Sequence, residues 1–178
     1  IHNFNTVKQQ MLHWANQFSV CCFLDNNRYD SPLHSNECLL GAGVWKSTYD
    51  SSGHSLEDLK KFLQQHDDWI FGHLAYDLNE EIEGIESAKP DRIGFPDLYF
   101  FVPEHVLKLE DKQLHVGSIT EDHQQIFSSI INQPLTEGYR LSGIDIRQRI
   151  SKPDYLQTIS KRQDHIRRGD CYEINFCQ

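Results

Sequence analysis

The stretch Leu98-Tyr-Phe-Phe-Val-Pro-Glu-His-Val-Leu-Lys-Leu-Glu-Asp-Lys-Gln-Leu-His-Val-Gly-Ser-Ile119 decides the fold class of this chain. Residues 98–109 and 113–119 are rich in aromatic and β-branched side chains, which favour strands. The polar segment Glu110-Asp111-Lys112 between them is typical of a tight turn. We therefore predict a β-hairpin over residues 98–119, and with it an antiparallel sheet.

Short apolar runs upstream of the hairpin predict further strands, because each has the length of a strand rather than of a helix. These runs cover residues 19–24, 38–45 and 69–78. Asp25-Asn26-Asn27 predicts a turn after the first run, since Asn and Asp tolerate left-handed backbone conformations. We predict a loop at residues 46–54 and a long excursion at the acidic residues 79–97.

Apolar residues at helical spacing predict helices that begin at Thr6, Ser55, Thr120 and Pro153. Gln9 lies three residues after Thr6, as in a capping box. The last helix is predicted to end at Gly169, and its inner stripe consists of Tyr155, Leu156, Ile159 and Ile166. Because the predicted strands are mostly neighbours in sequence, we predict the α+β class, with a largely antiparallel β-sheet or sandwich and flanking helices.

The last residues alternate in a way that predicts one more strand. Tyr172, Ile174 and Phe176 share one face, and the residues between them share the other. This strand would be interrupted at Gln178. We therefore expect the chain to be a piece of a longer protein.

The composition is ordinary for a globular protein, with 38% hydrophobic and 24% charged residues. The net charge of −9 argues against binding to nucleic acid or to anionic membrane surfaces. No apolar run approaches the roughly 20 residues that cross a bilayer. Five cysteines, an odd number without a Cys-x-x-Cys pair, favour reduced thiols and a cytoplasmic location.

Few motifs in the sequence carry chemistry by their spacing alone. The ten histidines do not form a zinc-binding pattern, and no phosphate-binding P-loop occurs. The acidic residues at positions 77, 80, 81 and 83 are more typical of a solvated face than of a cation site. The basic cluster of Lys161, Arg162, Arg167 and Arg168 could hold an anion. It lies towards the C-terminal end of the last predicted helix, where cations also complement the helix dipole, so a structural role is at least as well supported.

The segment Arg168-Gly-Asp-Cys-Tyr-Glu-Ile-Asn-Phe-Cys-Gln178 resembles the opening motif of the chorismate-utilising domain. The family with this domain includes component I of anthranilate synthase, component I of aminodeoxychorismate synthase (4-aminobenzoate synthase), and the isochorismate and salicylate synthases. Gly72-His-Leu-Ala-Tyr-Asp-Leu78 and Phe95-Pro-Asp-Leu98 are similar to two further motifs of the family. The resemblance therefore covers essentially the whole chain.

Within this family, the pattern of Tyr172, Asn175 and Gln178 is similar to that of aminodeoxychorismate synthase component I. Anthranilate synthases usually carry Phe and Val at the first two of these positions. The resemblance implies the N-terminal part of an enzyme that aminates chorismate at C4 to 4-amino-4-deoxychorismate, a step towards 4-aminobenzoate and folate. It also implies an N-terminal domain over residues 1–150 and the start of the truncated catalytic domain over residues 151–178.

The resemblance further implies Mg²⁺ as cofactor and a glutamine amidotransferase subunit as the partner that supplies ammonia. The family's metal ligands and catalytic residues lie downstream of residue 178, so we expect no metal ligand within this chain. This piece alone is expected to be inactive. Asn175 matches a position at the chorismate site and is the one substrate-binding candidate.

In several members of the family the N-terminal domain holds a tryptophan molecule. The resemblance implies that the corresponding amino-acid pocket is lined by Phe23, Leu24, Asp25, Asn26 and Tyr76. Asp25-Asn26 departs from the Glu-Ser or His-Ser pair that the family often has there. Two alternatives stay open: a component of an anthranilate or isochorismate synthase, and a non-catalytic module that binds an amino acid such as tryptophan.

Overall fold

A computed structural model describes residues 3–27, 29, 37–49, 53–84, 91, 93–119, 122–135, 143 and 147–176. The architecture is α+β with antiparallel sheets, which confirms the predicted fold class. The chain divides into two compact units, Ile1–Thr136 and Glu137–Gln178, and each is described by itself. The predicted domain boundary at residue 150 stays a prediction.

Two antiparallel sheets form the centre of the first unit. Strands β1 (Cys21–Asp25), β2 (Cys38–Ala42), β6 (His105–Glu110) and β7 (Gln113–Ser118) pair in the order β1-β2-β6-β7. Strands β3 (Lys46–Tyr49), β4 (Phe71–Leu74) and β5 (Leu98–Val102) pair in the order β3-β5-β4.

The hairpin that the sequence predicts is confirmed at its turn. Asp111 and Lys112 have φ angles of 45° and 63°, and Glu110 pairs with Gln113 across them. A two-residue turn with positive φ at both positions matches the right-handed twist of the flanking strands.

The prediction of one strand over residues 98–109 was wrong. Pro103 and Glu104 interrupt it, and the chain leaves β5 in the second sheet for β6 in the first. A proline has no backbone N–H for the ladder, so a strand ends readily at it.

One face of the first sheet packs against helices α1 (Phe4–Ala15) and α4 (His123–Ile131). Met11, Leu40, Leu107 and Leu109 are fully buried there. The wider cluster consists of Val7, Trp14, Ala15, Cys38, Ala42 and Ile130. This apolar layer supplies most of the burial that stabilises the first unit.

The other face of the first sheet meets the second sheet at Gly41. A methyl group added at Gly41 would come within 2.7 Å of the Phe71 ring on β4. A glycine at this place therefore allows the two sheets to approach closely, as the predicted sandwich requires.

Helices α1 and α4 begin at other residues than those predicted. Asn3, not Thr6, caps α1, and its side chain accepts from the backbone N–H groups of Asn5 and Thr6 at 3.1 and 3.3 Å. Helix α4 begins at His123 behind the cap Asp122, whereas the predicted start at Thr120 lies outside the described residues.

Helix α2 (Ser55–Gln65) is capped from a distant segment. Ser55 is its first residue rather than its cap, and it donates from its backbone N–H and its hydroxyl to Glu81 at 2.8 and 2.7 Å. Glu81 lies on the short helix α3 (Asn79–Glu83). This one carboxylate of the acidic run therefore has a structural role, because an anion near a helix N-terminus satisfies free N–H groups.

The predictions of a loop over residues 46–54 and of a strand over residues 69–78 were each wrong in part. Residues 46–49, predicted as a loop, form the edge strand β3 by pairing with β5. The strand predicted over residues 69–78 is shortened to β4, and Tyr76–Leu78 form a 3-10 turn. The sequence of β3 is polar and does not predict a strand, so its pairing with β5 is what makes these residues a strand.

The second unit contains helix α5 (Lys152–Arg168), which ends before Gly169 as predicted. The predicted inner stripe of α5 is not buried: no residue of this helix is buried in the structure. Residues 171–176, predicted as a strand, have no regular structure. A strand requires a partner for its ladder, and no described residue pairs with this segment. Residues 177 and 178 lie outside the described part.

No helix in the described part of the chain is both long and apolar enough to span a bilayer. Cys21, Cys22, Cys38 and Cys171 are all free thiols.

Candidate functional site

The turn that follows β1 contains two of the predicted pocket residues, Asp25 and Asn26. The Asp25 carboxylate binds the ammonium group of Lys8 at 2.6 Å, and the same ammonium group donates to the carboxylate of Glu37. Lys8 comes from α1, and Glu37 directly precedes β2. One cation thus joins three segments that are distant in sequence.

The backbone of this turn is fixed by further hydrogen bonds. The Asn27 N–H donates to the Asp25 carboxylate at 2.7 Å, and Asn27 has a positive φ of 50°. The Asn26 amide donates to the Tyr29 carbonyl at 2.8 Å, while its backbone N–H donates to the Glu37 carbonyl. The predicted turn is therefore present, and its polar groups are largely used within the protein.

The electrostatics of this cluster favour the charged form of Lys8. Burial opposes the charge, but the hydrogen bonds and charges of Asp25 and Glu37 together raise the pKa of Lys8 above its ordinary value. The Lys8 side chain is only 9% exposed. A buried ammonium group between two carboxylates is compensated, so the cluster has the character of a structural tie.

Sequence reasoning missed Lys8 and Glu37. One signal for Lys8 was available: it lies beside Val7 and three residues before Met11, on the buried side of α1. A lysine on such a helix needs an acidic partner. Which carboxylate would serve was not readable from the sequence.

The remaining predicted pocket residues are not gathered into one enclosed site. Phe23 packs against the core, whereas its neighbour Leu24 is 53% exposed on the opposite face of β1. Tyr76 follows β4 of the other sheet and is 84% exposed. The structure thus joins Asp25 and Asn26 in one turn and leaves Leu24 and Tyr76 on the surface.

The segment that carries the terminal motif starts at a well-formed helix end. Gly169 has a φ of 81°, its N–H donates to the Ile166 carbonyl, and the Asp170 N–H donates to the His165 carbonyl. This is the Schellman arrangement, which glycine permits because it has no Cβ. The Asp170 carboxylate also binds Arg168 at 2.9 Å and His165 at 2.7 Å.

The basic residues at this end of α5 are held by acidic neighbours. Arg167 binds Asp164 at 2.9 Å, in addition to the Arg168–Asp170 pair. These contacts agree with the interpretation that the cluster stabilises the helix end rather than forming an anion site.

Asn175 lies in the irregular segment after this helix end, and it is exposed. Its neighbour Phe176 turns back onto α5, with its ring 5.4 Å from that of Tyr155 and 5.6 Å from the guanidinium of Arg162. Asn175 is therefore carried on a segment anchored at both sides, with its amide available to solvent.

Within the described residues, no group of three or more His, Cys, Asp or Glu side chains is placed to hold a metal ion.

Comparison with known proteins gives a family match over most of the chain. A family model described as chorismate binding enzyme matches residues 29–178. This span includes the turn residue Tyr29, both sheets apart from β1, and the segment of Asn175.

Curated relatives resemble the chain at low identity. It is 29% identical over 116 residues to anthranilate synthase component 1 of Thermus thermophilus, covering 59% of this chain and 25% of that protein. It is 24% identical over 131 residues to anthranilate synthase component 1 of Acetivibrio thermocellus, covering 60% and 26%. An anthranilate synthase component I-like protein of Synechocystis is 21% identical over 124 residues, covering 67% and 25%. The chain thus spans about a quarter of the length of the curated relatives it matches.

Proposed function

The chain belongs to the family of chorismate binding enzymes, and from this premise we propose that it is the N-terminal part of aminodeoxychorismate synthase component I. The complete enzyme would aminate chorismate at C4. The observation that carries this proposal is the terminal motif, in which Tyr172 and Asn175 follow the helix end at Gly169. The resemblance of this motif favours C4 amination over the related reactions.

A second candidate function is anthranilate synthesis. It is favoured by the names of the relatives, since two of them are anthranilate synthase component 1. The two reactions start from the same substrate and ammonia but place nitrogen on different carbons. An isochorismate synthase would add water instead of ammonia.

An assay of the full-length protein with chorismate, Mg²⁺ and ammonium distinguishes these reactions. We expect 4-aminobenzoate to form only after aminodeoxychorismate lyase is added. Fluorescent anthranilate forming without the lyase would contradict the proposal and support the second candidate. Isochorismate as the product would contradict both. The 178-residue chain alone is expected to convert no chorismate, because the family's catalytic residues are expected downstream of it.

Asn175 is proposed to hydrogen-bond the substrate. We expect Asn175→Ala in the full-length enzyme to lower kcat/KM about 10- to 100-fold, because a lost hydrogen bond to a charged group costs about 1.5–3 kcal/mol. Glu173→Gln is the matched control, since it changes a neighbouring exposed residue of the same segment. Equal kinetic effects of the two substitutions would argue against a substrate contact by Asn175.

Further parts of the proposal concern the partner, the cofactor and the N-terminal domain. A glutamine amidotransferase subunit would supply ammonia, and Mg²⁺ would be held by residues outside this chain. The chain would act in the cytoplasm.

A free amino acid at the turn after β1 would have to compete with the Lys8 ammonium for Asp25, since that carboxylate is already bound.

Calorimetric titration with tryptophan tests the non-catalytic alternative. We expect no heat of binding at the turn after β1. A saturable heat that Asp25→Asn abolishes would restore the amino-acid pocket of Phe23, Leu24, Asp25, Asn26 and Tyr76.

A further inference from the structure

A cleft in the first unit is lined by none of the candidate site residues described above. It has a volume of about 410 Å³ and is lined by β6, β7 and the residues that precede β4. The lining includes Asp68, Trp69, Glu104, Val106, Lys108 and His115. This volume suits a small organic molecule.

The charges around the cleft are unequally compensated. Lys108 binds Glu110 at 2.7 Å, and the His115 ring lies 3.7 Å from the same carboxylate. The two basic groups of the lining are therefore turned towards Glu110. Asp68 and Glu104 add two further carboxylates to the lining, and the Glu104 carboxylate lies beside Gly43. The lining and Glu110 together therefore carry three carboxylates against the one ammonium group of Lys108.

The aromatic wall of the cleft is Trp69. Its ring is stacked on that of Phe71, with centroids 6.4 Å apart and an angle of 28° between the planes. Trp69 nevertheless remains 46% exposed. A tryptophan that is supported on one side and open on the other attracts cations, because the face of its ring is electron-rich.

We propose that this cleft binds a small organic cation, namely a primary or quaternary ammonium group on an apolar or aromatic body. The ammonium group is attracted by Asp68, Glu104 and the Trp69 ring. The apolar body rests on Val106. An anionic molecule such as chorismate is disfavoured by the same charges, so this site is independent of the proposed reaction.

The test uses the full-length protein and phenethylammonium as the probe, with the uncharged 2-phenylethanol and the anion phenylacetate as matched comparisons. Binding is followed by NMR through the indole N–H signal of Trp69, assigned with Trp69→Phe. We expect a saturable shift with phenethylammonium, and binding of 2-phenylethanol and phenylacetate at least tenfold weaker. Equal binding of the three compounds, or no saturable shift, would overturn the proposal.

Two substitutions locate the charge effect. Asp68→Asn keeps the oxygen that accepts from the Trp69 backbone N–H at 2.7 Å, so it removes charge with little change in structure. We expect Asp68→Asn and Glu104→Gln each to weaken phenethylammonium at least threefold, whereas Glu57→Gln on the exposed surface of α2 leaves binding unchanged. If Glu104→Gln fails to fold, the Asp68→Asn variant alone tests the proposal. Unchanged binding of phenethylammonium by Asp68→Asn would reject the site. Chorismate turnover is a separate readout and does not enter this test.

Discussion

His105 is a polar residue in an aromatic surrounding. Its ring lies 5.4 Å from that of Trp14 and 5.2 Å from that of Phe18, and its Nδ1 is 2.9 Å from the Ser118 hydroxyl. Burial lowers the pKa of His105, and the charge of Glu104 opposes this only in part. The folded protein therefore favours the neutral ring.

This preference predicts a loss of stability in acid. An unfolded histidine titrates near about pH 6.5, so below that pH the unfolded chain binds a proton that the folded chain binds less readily. The free energy of unfolding should therefore fall as the pH drops from about 7.5 to about 5. Urea unfolding at several pH values measures this.

His105→Gln should flatten the dependence, because glutamine cannot titrate in this range. The native sequence, measured over the same pH range, is the reference. If His105→Gln has the same slope as the native sequence, the neutral ring does not contribute to stability.

At the scale of single elements, the turn after β1 shows how a local motif depends on a distant helix. Asp25 and Asn26 form the turn locally, but Lys8 from α1 ties it to Glu37. Loss of Lys8 would leave two carboxylates close together without their cation.

Lys8→Met should therefore destabilise the protein by about 2–3 kcal/mol, since removing one partner of a largely buried ion pair leaves the others uncompensated. Lys61→Met is the control: Lys61 binds Asp58 at 3.0 Å on the exposed surface of α2, where ion pairs contribute little. Chemical unfolding measures both. Similar small losses in the two variants would mean that the Lys8 cluster is not a structural tie.

At the scale of the whole first unit, the two sheets depend on a close approach at Gly41. The ring of Phe71 occupies the space in which a side chain at Gly41 would stand. Gly117 lies in the same sheet, but a methyl group there would meet its nearest atom at 3.6 Å, an ordinary contact distance.

Gly41→Ala should lower the free energy of unfolding by about 1–3 kcal/mol, because the added methyl group forces the sheets apart or displaces Phe71. Gly117→Ala should be tolerated. Thermal and urea unfolding of the two variants give the comparison. A neutral Gly41→Ala would show that the two sheets are not held at this distance.

Part of the fold follows from local sequence alone. Asp111 and Lys112 predict the turn of the β6–β7 hairpin, because the turn depends only on the backbone conformation of these two residues. The end of α5 at Gly169 depends likewise on one left-handed residue. The candidate Asn175 came from the resemblance of its motif.

The sequence by itself thus determined the α+β class, the hairpin turn at Asp111-Lys112 and the end of α5 at Gly169. Only the tertiary structure decided that residues 98–109 divide between two sheets, that the polar residues 46–49 form a strand, and that Lys8 binds Asp25. The tertiary structure also shows that residues 171–176 do not form the predicted strand. The physical reason is that a tight turn or a glycine helix end is set by the conformation of a few adjacent residues. Strand pairing and buried ion pairs depend instead on partners far apart in the chain.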